Sequence, residues 1–471
     1  MQEVIPVKRK TPYSLVDVKE VSIEAMMSAR AGQACIAGVD VAKEELVVCL
    51  YWPDRSFDRP WRVRSPEEIR LLVQKLKALS MRCPLVVAME SSGTYGDVLR
   101  QALGDHGLEV KRVSSKAVKD HAETFDGVPS QHDGKDAAVI AELCWMDKAT
   151  PWPWKERPEV DQALRYWIRK LDTAQRIKQV YCGKLESLLA RHWPEVFALL
   201  RQSGPTLTKA LLRWGGPREM AGDPQASALL KGFGGHWLSG EKIREVIAAA
   251  GSTLGVRMNA WQKRELQAVA EAIVQKREEI AACKQELKKR TKDHATIQAQ
   301  KPAIGLVTAC VLWMCLGDVR NYSSAAAYRK AMGLNLKERS SGQHKGRLSL
   351  SKRGQRLARK WLYFSALRWL REPGVKRWAE AKKRRDGGHG GKAVVGLMRR
   401  LALAAYHVGQ NGVAFDPGRL FPGVSSRART KPSSIAIGEG AMRTACNVIQ
   451  LDTTDPIGQG GEEPRCSALI Q

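Results

Sequence analysis

Hydrophobic and polar positions alternate in recognisable blocks from residue 35 onward. CIAGVDVA (35–42) and ELVVCLYW (45–52), separated by a short Lys-Glu-Glu turn, predict a β-hairpin. FDRPWRVR continues extended into Ser65, Pro66, Glu67 and Glu68. There a Ser N-cap, a Pro at the first helical position and a Glu able to close a capping box predict a helix start. Ile69, Leu72, Val73, Leu76 and Leu79 then recur on one helical face. PLVVAME (84–90), bounded by Pro and by Ser-Ser-Gly, predicts a strand buried on both faces. A helix over 95–104, a strand EVKRVS (109–114) and a helix through KDAAVIAELCWM (135–146) follow.

Paired strands followed by alternating helices and strands suit an α/β domain over 34–150, of the ribonuclease-H-like kind or another open-sheet fold, preceded by a polar extension, 1–33. Residues 159–192 carry one long apolar stripe, including Leu164, Ile168, Leu171 and Leu185. A second helical stretch sets Leu266, Val269, Ile273, Lys276, Ile280, Cys283 and Leu287 at alternating spacings of three and four, a heptad seam with one Lys inside it. Together they predict a helical, coiled-coil-like arm over 151–297, interrupted by a Pro- and Gly-containing insert at 203–255. A basic, mainly α domain spans 298–412, and the Gly-, Pro-, Ser- and Arg-rich tail 413–471 is expected to be disordered.

Charge sharpens this picture. Lys and Arg number 77 against 49 Asp and Glu in 471 residues, a formal charge of +28, which makes nucleic acid the leading partner. No run approaches the ~20 apolar residues of a membrane span, and the N-terminus lacks the apolar core of a secretory signal. A cytoplasmic, nucleoid-associated protein is expected. The ten cysteines and nine histidines are scattered without zinc spacing, so the cysteines read as reduced and mostly structural.

Two constellations carry chemistry. Asp40 interrupts an apolar strand, Glu90 ends another, and Asp133 and Asp136 lie one helical turn apart where a helix begins. Four hard oxygen ligands on such elements could hold two Mg²⁺ ions ~3.5–4 Å apart for chemistry at phosphorus. Taken as an isolated pair, Asp133 reads better as an N-cap and Asp136 as a partner of the helix dipole. The second constellation is KERSSGQHKGRLSLSKRGQRLARK (337–360), with nine Lys or Arg and one Glu. Lys337, Arg339, Lys345, Arg347, Lys352, Arg353 and Arg356 are its candidate phosphate contacts. Arg353, Arg356 and Lys360 are placed on one helical face, with Leu357 and Trp361 anchoring it. The Ser340, Ser341, Gly342 turn offers a hydroxyl inside this positive field, although a serine before Gly is more often a simple turn. Upstream, KPAIGLVTACVLWM sets a Gly turn before a helix, suited equally to phosphate approach or to packing.

GVDVAKEELVV, MESSGTYGDVLRQAL and DGKDAAVIAEL, followed by IGLVTACVLWMCLGDVRNYSSAAAYRKAMGLNLKERSSG and GRLSLSKRGQRLARKWL, together resemble the DEDD-type insertion-sequence transposases of family one hundred and ten, which includes the Piv-type DNA invertases. The resemblance covers roughly 34–147 and 298–410. It implies a RuvC-like fold whose metal-binding acids are Asp40, Glu90, Asp133 and Asp136, and a serine nucleophile at Ser341. It further implies cut-and-paste or invertase chemistry on double-stranded DNA through a circular intermediate, a homo-oligomer (dimer or tetramer) and, in many members, a structured guide RNA. Gln131 and His132 stand where the family often has Lys-Thr, and Leu336 where it often has Pro. Without the resemblance, the same residues also suit a metal-dependent junction resolvase or nuclease, or a non-enzymatic nucleic-acid binder.

Overall fold

The computed structural model describes residues 12–421 apart from 91, 92, 130, 131, 157, 342 and 343, and the chain divides into two compact units at Glu156 and Arg157. In the first unit the elements are β1 (Val16–Asp17), α1 (Ile23–Arg30), β2 (Cys35–Val41), β3 (Glu45–Tyr51), β4 (Trp61–Arg64), α2 (Ile69–Ser80), β5 (Leu85–Glu90), α3 (Asp97–Asp105), β6 (Glu109–Val113), α4 (Ser115–Asp126), α5 (Asp133–Trp145) and β7 (Thr150–Pro151). The strands form one sheet in the order β1-β4-β3-β2-β5-β6-β7. β3 pairs antiparallel with β2 and with β4, and β7 with β6, whereas β1 and β4, β2 and β5, and β5 and β6 pair in parallel.

Alternation along the strands sorts side chains between two faces. Ala37, Val39 and Val41 join Leu46, Val48 and Leu50 in a core with Leu72, Leu76 and Leu99 of α2 and α3. Ile36, Tyr51 and Ala88 face the other way, against Val139, Ile140 and Leu143 of α5. The 1–33 extension is corrected. Val16 and Asp17 pair with β4, and Ile23 and Met27 enter the core, so its described part, residues 12–33, packs into the α/β unit. The start of α2 is corrected as well. The helix begins at Ile69, and Glu68 accepts a hydrogen bond from the Arg64 N–H (2.8 Å) while pairing with Lys19 (2.7 Å), which leaves Ser65 outside the helix.

The second unit begins with α6 (Glu159–His192), 34 residues long. Short helices α7 (Val196–Leu199), α8 (Pro205–Trp214), α9 (Pro217–Ala221), α10 (Ala226–Gly234) and α11 (Gly240–Gly251) follow, then α12 (Ala260–Arg290). Leu164, Ile168 and Leu171 share a core with Cys283 and Leu287, whereas Cys182, Leu185 and Leu189 share one with Leu266, Val269 and Ile273. Early residues of α6 therefore meet late residues of α12, and the two helices are antiparallel. The insert at 203–255 folds onto that second core through Leu207, Leu211, Leu230 and Val246.

Helices α13 (Ala295–Ile304), α14 (Leu306–Leu316) and α15 (Ala325–Ala331) precede a two-stranded hairpin, β8 (Leu336–Ser341) and β9 (His344–Leu350). Helices α16 (Arg356–Trp369), α17 (Pro373–Arg385), α18 (Gly390–Asn411) and α19 (Pro417–Leu420) complete the described chain. Two expectations change here. The arm and the basic domain form one unit, because the N-terminal half of α6 buries its stripe in the same core as Leu312, Trp361, Leu362 and Leu401. The chain beyond 412 is still packed at Phe421, which is 1% exposed and lies against Trp369 and Trp378. The remaining tail, 422–471, lies outside the described residues. No described helix is long and apolar enough to cross a membrane.

Candidate functional site

Gly38 sets the first half of the site. It lies two residues before Asp40, on the face of β2 that meets α5, and a Cβ there would collide with the Ala137 carbonyl and with Ala141. Small residues on both elements thus let the start of α5 settle directly on the strand. Val39 pairs with Met89, so Asp40 and Glu90 stand side by side at the ends of adjacent parallel strands, on the face turned away from the α2 and α3 core. Asp133 is the first residue of α5 and Asp136 lies in its first turn, where unpaired N–H groups favour negative charge. His132, not Asp133, occupies the N-cap position.

These four carboxylates influence one another electrically. Burial, followed by the charges of Asp136, Asp133 and Glu90, pushes Asp40 up to about 6. Asp136 is raised by burial and then by Asp133 and Glu90, while Lys135 and His132 pull it down. Among the described residues no ion pair neutralises any of the four, and no three potential ligands converge at coordination distance. The four acids are hard oxygen donors of the type a divalent cation takes, grouped on neighbouring elements but not converged on one point.

The residue between the two helical acids behaves differently. Lys135 is fully buried, and its ammonium turns to Asp126 at the end of α4 (2.6 Å) and to the Val128 carbonyl (2.6 Å). The Tyr13 hydroxyl donates to the other oxygen of Asp126 (2.8 Å). Burial alone would raise the Asp126 pKa, but hydrogen bonds from Lys135, Tyr13 and the Val128 N–H bring it down to about 2. Gly134 permits the same closure, since a Cβ would press on the Tyr13 carbonyl and Pro60. Sequence reading missed Tyr13, Asp126 and Lys135. The available signal was a lysine set between the two acids at the start of a helix that is small and apolar from Ala137 to Ala141.

In the second unit, Ser340 and Ser341 lie in β8, not in a free turn. Arg339 pairs with Arg347 and Ser341 with His344, and the register shifts between Arg339 and Ser341, so Ser340 sits at a bulge. Its Oγ donates to Glu338 Oε1 (2.9 Å). The side chains of Arg339, Ser341, Lys345 and Arg347, and residues 342 and 343, lie outside the described part of the chain. Lys337 is exposed. Arg353 precedes α16, which corrects its placement on a helical face with Arg356 and Lys360. Arg353 and Arg356 are exposed, Lys360 pairs with Asp172 (2.5 Å), and Trp361 is buried as an anchor.

The loop holding Lys352 and Arg353 is pinned. The Ser351 N–H donates to the Asn335 carbonyl, Gln355 N–H to Ala331, and the Arg359 guanidinium to the Met332 and Gly354 carbonyls. At the other glycine turn, Gly305 carries φ +82° between α13 and α14, and the Arg368 guanidinium packs directly over it, which suits a packing turn.

Comparison with known proteins agrees with both halves. Residues 37–194 match a family model described as a transposase, of the DEDD kind of IS110. Residues 296–381 match one described as the transposase IS116/IS110/IS902 family. The chain is also similar to the uncharacterized 44.8 kDa protein of insertion element IS116 from Streptomyces clavuligerus, 27% identical over 329 residues, covering 66% of this chain and 79% of the relative. The first match holds all four acids and the second holds Ser340 and Ser341. One after the other, these two segments of the chain are similar to the two transposase domains of the IS110-type insertion sequences.

Proposed function

We propose that the protein cuts and rejoins DNA strands as an insertion-sequence recombinase, using a metal-dependent carboxylate site at Asp40, Glu90, Asp133 and Asp136 together with Ser341 as nucleophile. The observation that carries this reading is the uncompensated acid cluster at the ends of β2 and β5 and the start of α5, with Asp40 pushed to about 6. The sheet order, an antiparallel trio continued by parallel strands, supports a RuvC-like, ribonuclease-H-like scaffold.

Bound Mg²⁺ would supply activation of the attacking oxygen and stabilisation of the leaving one. The chain's own residues do the rest. Asp40 and Glu90 fix one side of the site from the sheet, and Asp133 and Asp136 the other from α5. The serine Oγ forms a bond to phosphorus as the bond to the leaving strand's oxygen breaks; the hydroxyl proton leaves to a base, and the released oxygen takes up a proton. Lys337, Arg353 and Arg356 supply positive charge along the phosphodiester, with Arg339, Lys345, Arg347 and Lys352 on the same segment. A structured guide RNA, a dimeric or tetrameric assembly and a place in the cytoplasm at the nucleoid complete the reading.

The test is a plasmid carrying the element with its flanking DNA, scored in cells for the excised circular junction. Asp136→Asn should abolish the junction while the protein accumulates normally; full activity of that variant would remove the metal role. The hydrogen bond from Ser340 to Glu338 favours one second reading, in which Ser340 attacks and Glu338 accepts its proton. Parallel Ser340→Ala and Ser341→Ala variants distinguish the two.

A further inference from the structure

We propose that the exposed face of the N-terminal half of α6 is a binding surface for unpaired nucleotides, with Tyr166 as a stacking platform and Arg169 and Arg176 as phosphate contacts. An open cavity of about 520 Å³ lies along this helix between Gln162 and Thr173 and is bordered on the α12 side by Glu279. At 100° per residue, Gln162, Arg165, Tyr166, Arg169, Thr173 and Arg176 fall within a face about 100° wide, and Arg165 to Arg176 spans about 16 Å.

The Tyr166 ring is 56% exposed, yet it is held in place. Trp167 meets it edge-on with ring centroids 5.0 Å apart, and the Lys170 ammonium stands over both rings, 5.8 Å from Tyr166 and 5.3 Å from Trp167. An aromatic ring fixed at the surface and flanked by guanidinium groups is what stacking of a base requires, because little side-chain entropy remains to be lost.

The charge around it fits a polyanion. Among the described residues no acid pairs with Arg169 or Arg176. Acids on these two helices are already engaged, Glu279 by Lys276 (2.7 Å), Asp172 by Lys360 (2.5 Å) and Asp161 by the Trp313 indole N–H (2.7 Å). Arg169 and Arg176 therefore carry no acidic partner among the described residues, while the buried stripe of the same helix, Leu164, Ile168 and Leu171, accounts for the fold without needing Tyr166, Arg169 or Arg176. A duplex offers phosphates but no open base faces, so Tyr166 points to single-stranded or looped nucleic acid in particular. This inference does not depend on the carboxylates or on Ser341.

The experiment uses the full chain and fluorescein-labelled 20-nucleotide strands of one mixed sequence, as RNA, as DNA and as the DNA duplex, read by fluorescence anisotropy. Tyr166→Ala should weaken single-strand binding at least about fivefold, with duplex binding unchanged within about twofold, and Tyr166→Phe should restore it. Loss with the RNA strand alone, or with the DNA strand alone, identifies the natural source, and loss with both supports the shared chemistry. Arg169→Ala combined with Arg176→Ala should reduce the salt slope for single strands by about 1.4. All variants should melt at the wild-type temperature, since the altered side chains are not part of the core. Equal loss for duplex and single strands, no loss with Tyr166→Ala, or an unchanged salt slope would each overturn the proposal.

Discussion

Gly38 and Ala137 face each other across the sheet-to-helix contact with no room for a Cβ between them. This contact brings the start of α5, with Asp133 and Asp136, to the strand ends that carry Asp40 and Glu90. Gly38→Ala should cost about 1–3 kcal/mol of stability, as overpacking does. It should also lower recombination further than the stability loss explains, because the helix must move. A denaturation midpoint equal to wild type, together with full activity, would show that the close approach has no role in placing the acids.

Lys135 and Asp126 should be strongly coupled. Lys135→Met leaves the Asp126 carboxylate without its buried cation, and the expected loss is ~3 kcal/mol, the lower end of the range for breaking a buried pair. Asp126 is held near 2, below its unfolded value near 4. Its contribution is thus fully present above pH 4 and is lost as pH falls from about 4 through about 2. Urea titrations of wild type and Lys135→Met should converge over that interval. A constant difference between them would assign the loss to packing alone.

Asp40 carries the opposite sign. An acid raised to about 6 in the folded state opposes folding once it ionises, so in chelator the stability of the wild type should fall as pH rises from about 4 to about 6. Asp40→Asn should remove that slope and be more stable at pH 7, on the order of 1 kcal/mol after allowance for solvent screening. Added Mg²⁺ should stabilise the wild type more than the variant. A variant less stable than wild type in chelator would mean that Asp40 serves the fold.

Arg353 and Arg356 should act through charge and not through base readout. Replacing both with Ala should reduce the slope of log K against log salt for duplex DNA by about 2, with the same loss on unrelated sequences. Filter binding at four salt concentrations on two sequences measures this. A loss confined to one sequence would place these residues in base recognition.

The sequence announced an element wherever one face is strongly apolar. β2, β3, β5, β6, α2, α5 and the ends of α6 were all visible in this way, because periodic burial of Val39, Leu72 or Leu164 leaves a pattern of its own. Helix α4 buries only Val118 and left no such stripe. Strands β8 and β9 are mostly polar and charged, LKERSS and HKGRLSL, so no apolar alternation marked them. The acids Asp40 and Glu90 were legible because carboxylates interrupt apolar strands. Lys135 was not, since its partners Asp126 and Tyr13 come from another helix and from the N-terminal segment, a juxtaposition that only the folded chain creates.

The central claim joins a metal-dependent acid site to a serine nucleophile, and a covalent adduct tests it most directly. Purified protein is incubated with Mg²⁺ and a supercoiled plasmid bearing the element's ends and any transcript encoded beside them, then denatured and resolved for protein attached to DNA. The wild type should give an adduct whose linked peptide contains Ser341. Asp136→Asn, chelator and Ser341→Ala should each abolish it while DNA binding stays within about twofold, because a lost nucleophile removes the covalent step and not affinity. Cleavage that continues without an adduct in Ser341→Ala and in Ser340→Ala alike would contradict the account and assign the attack to water.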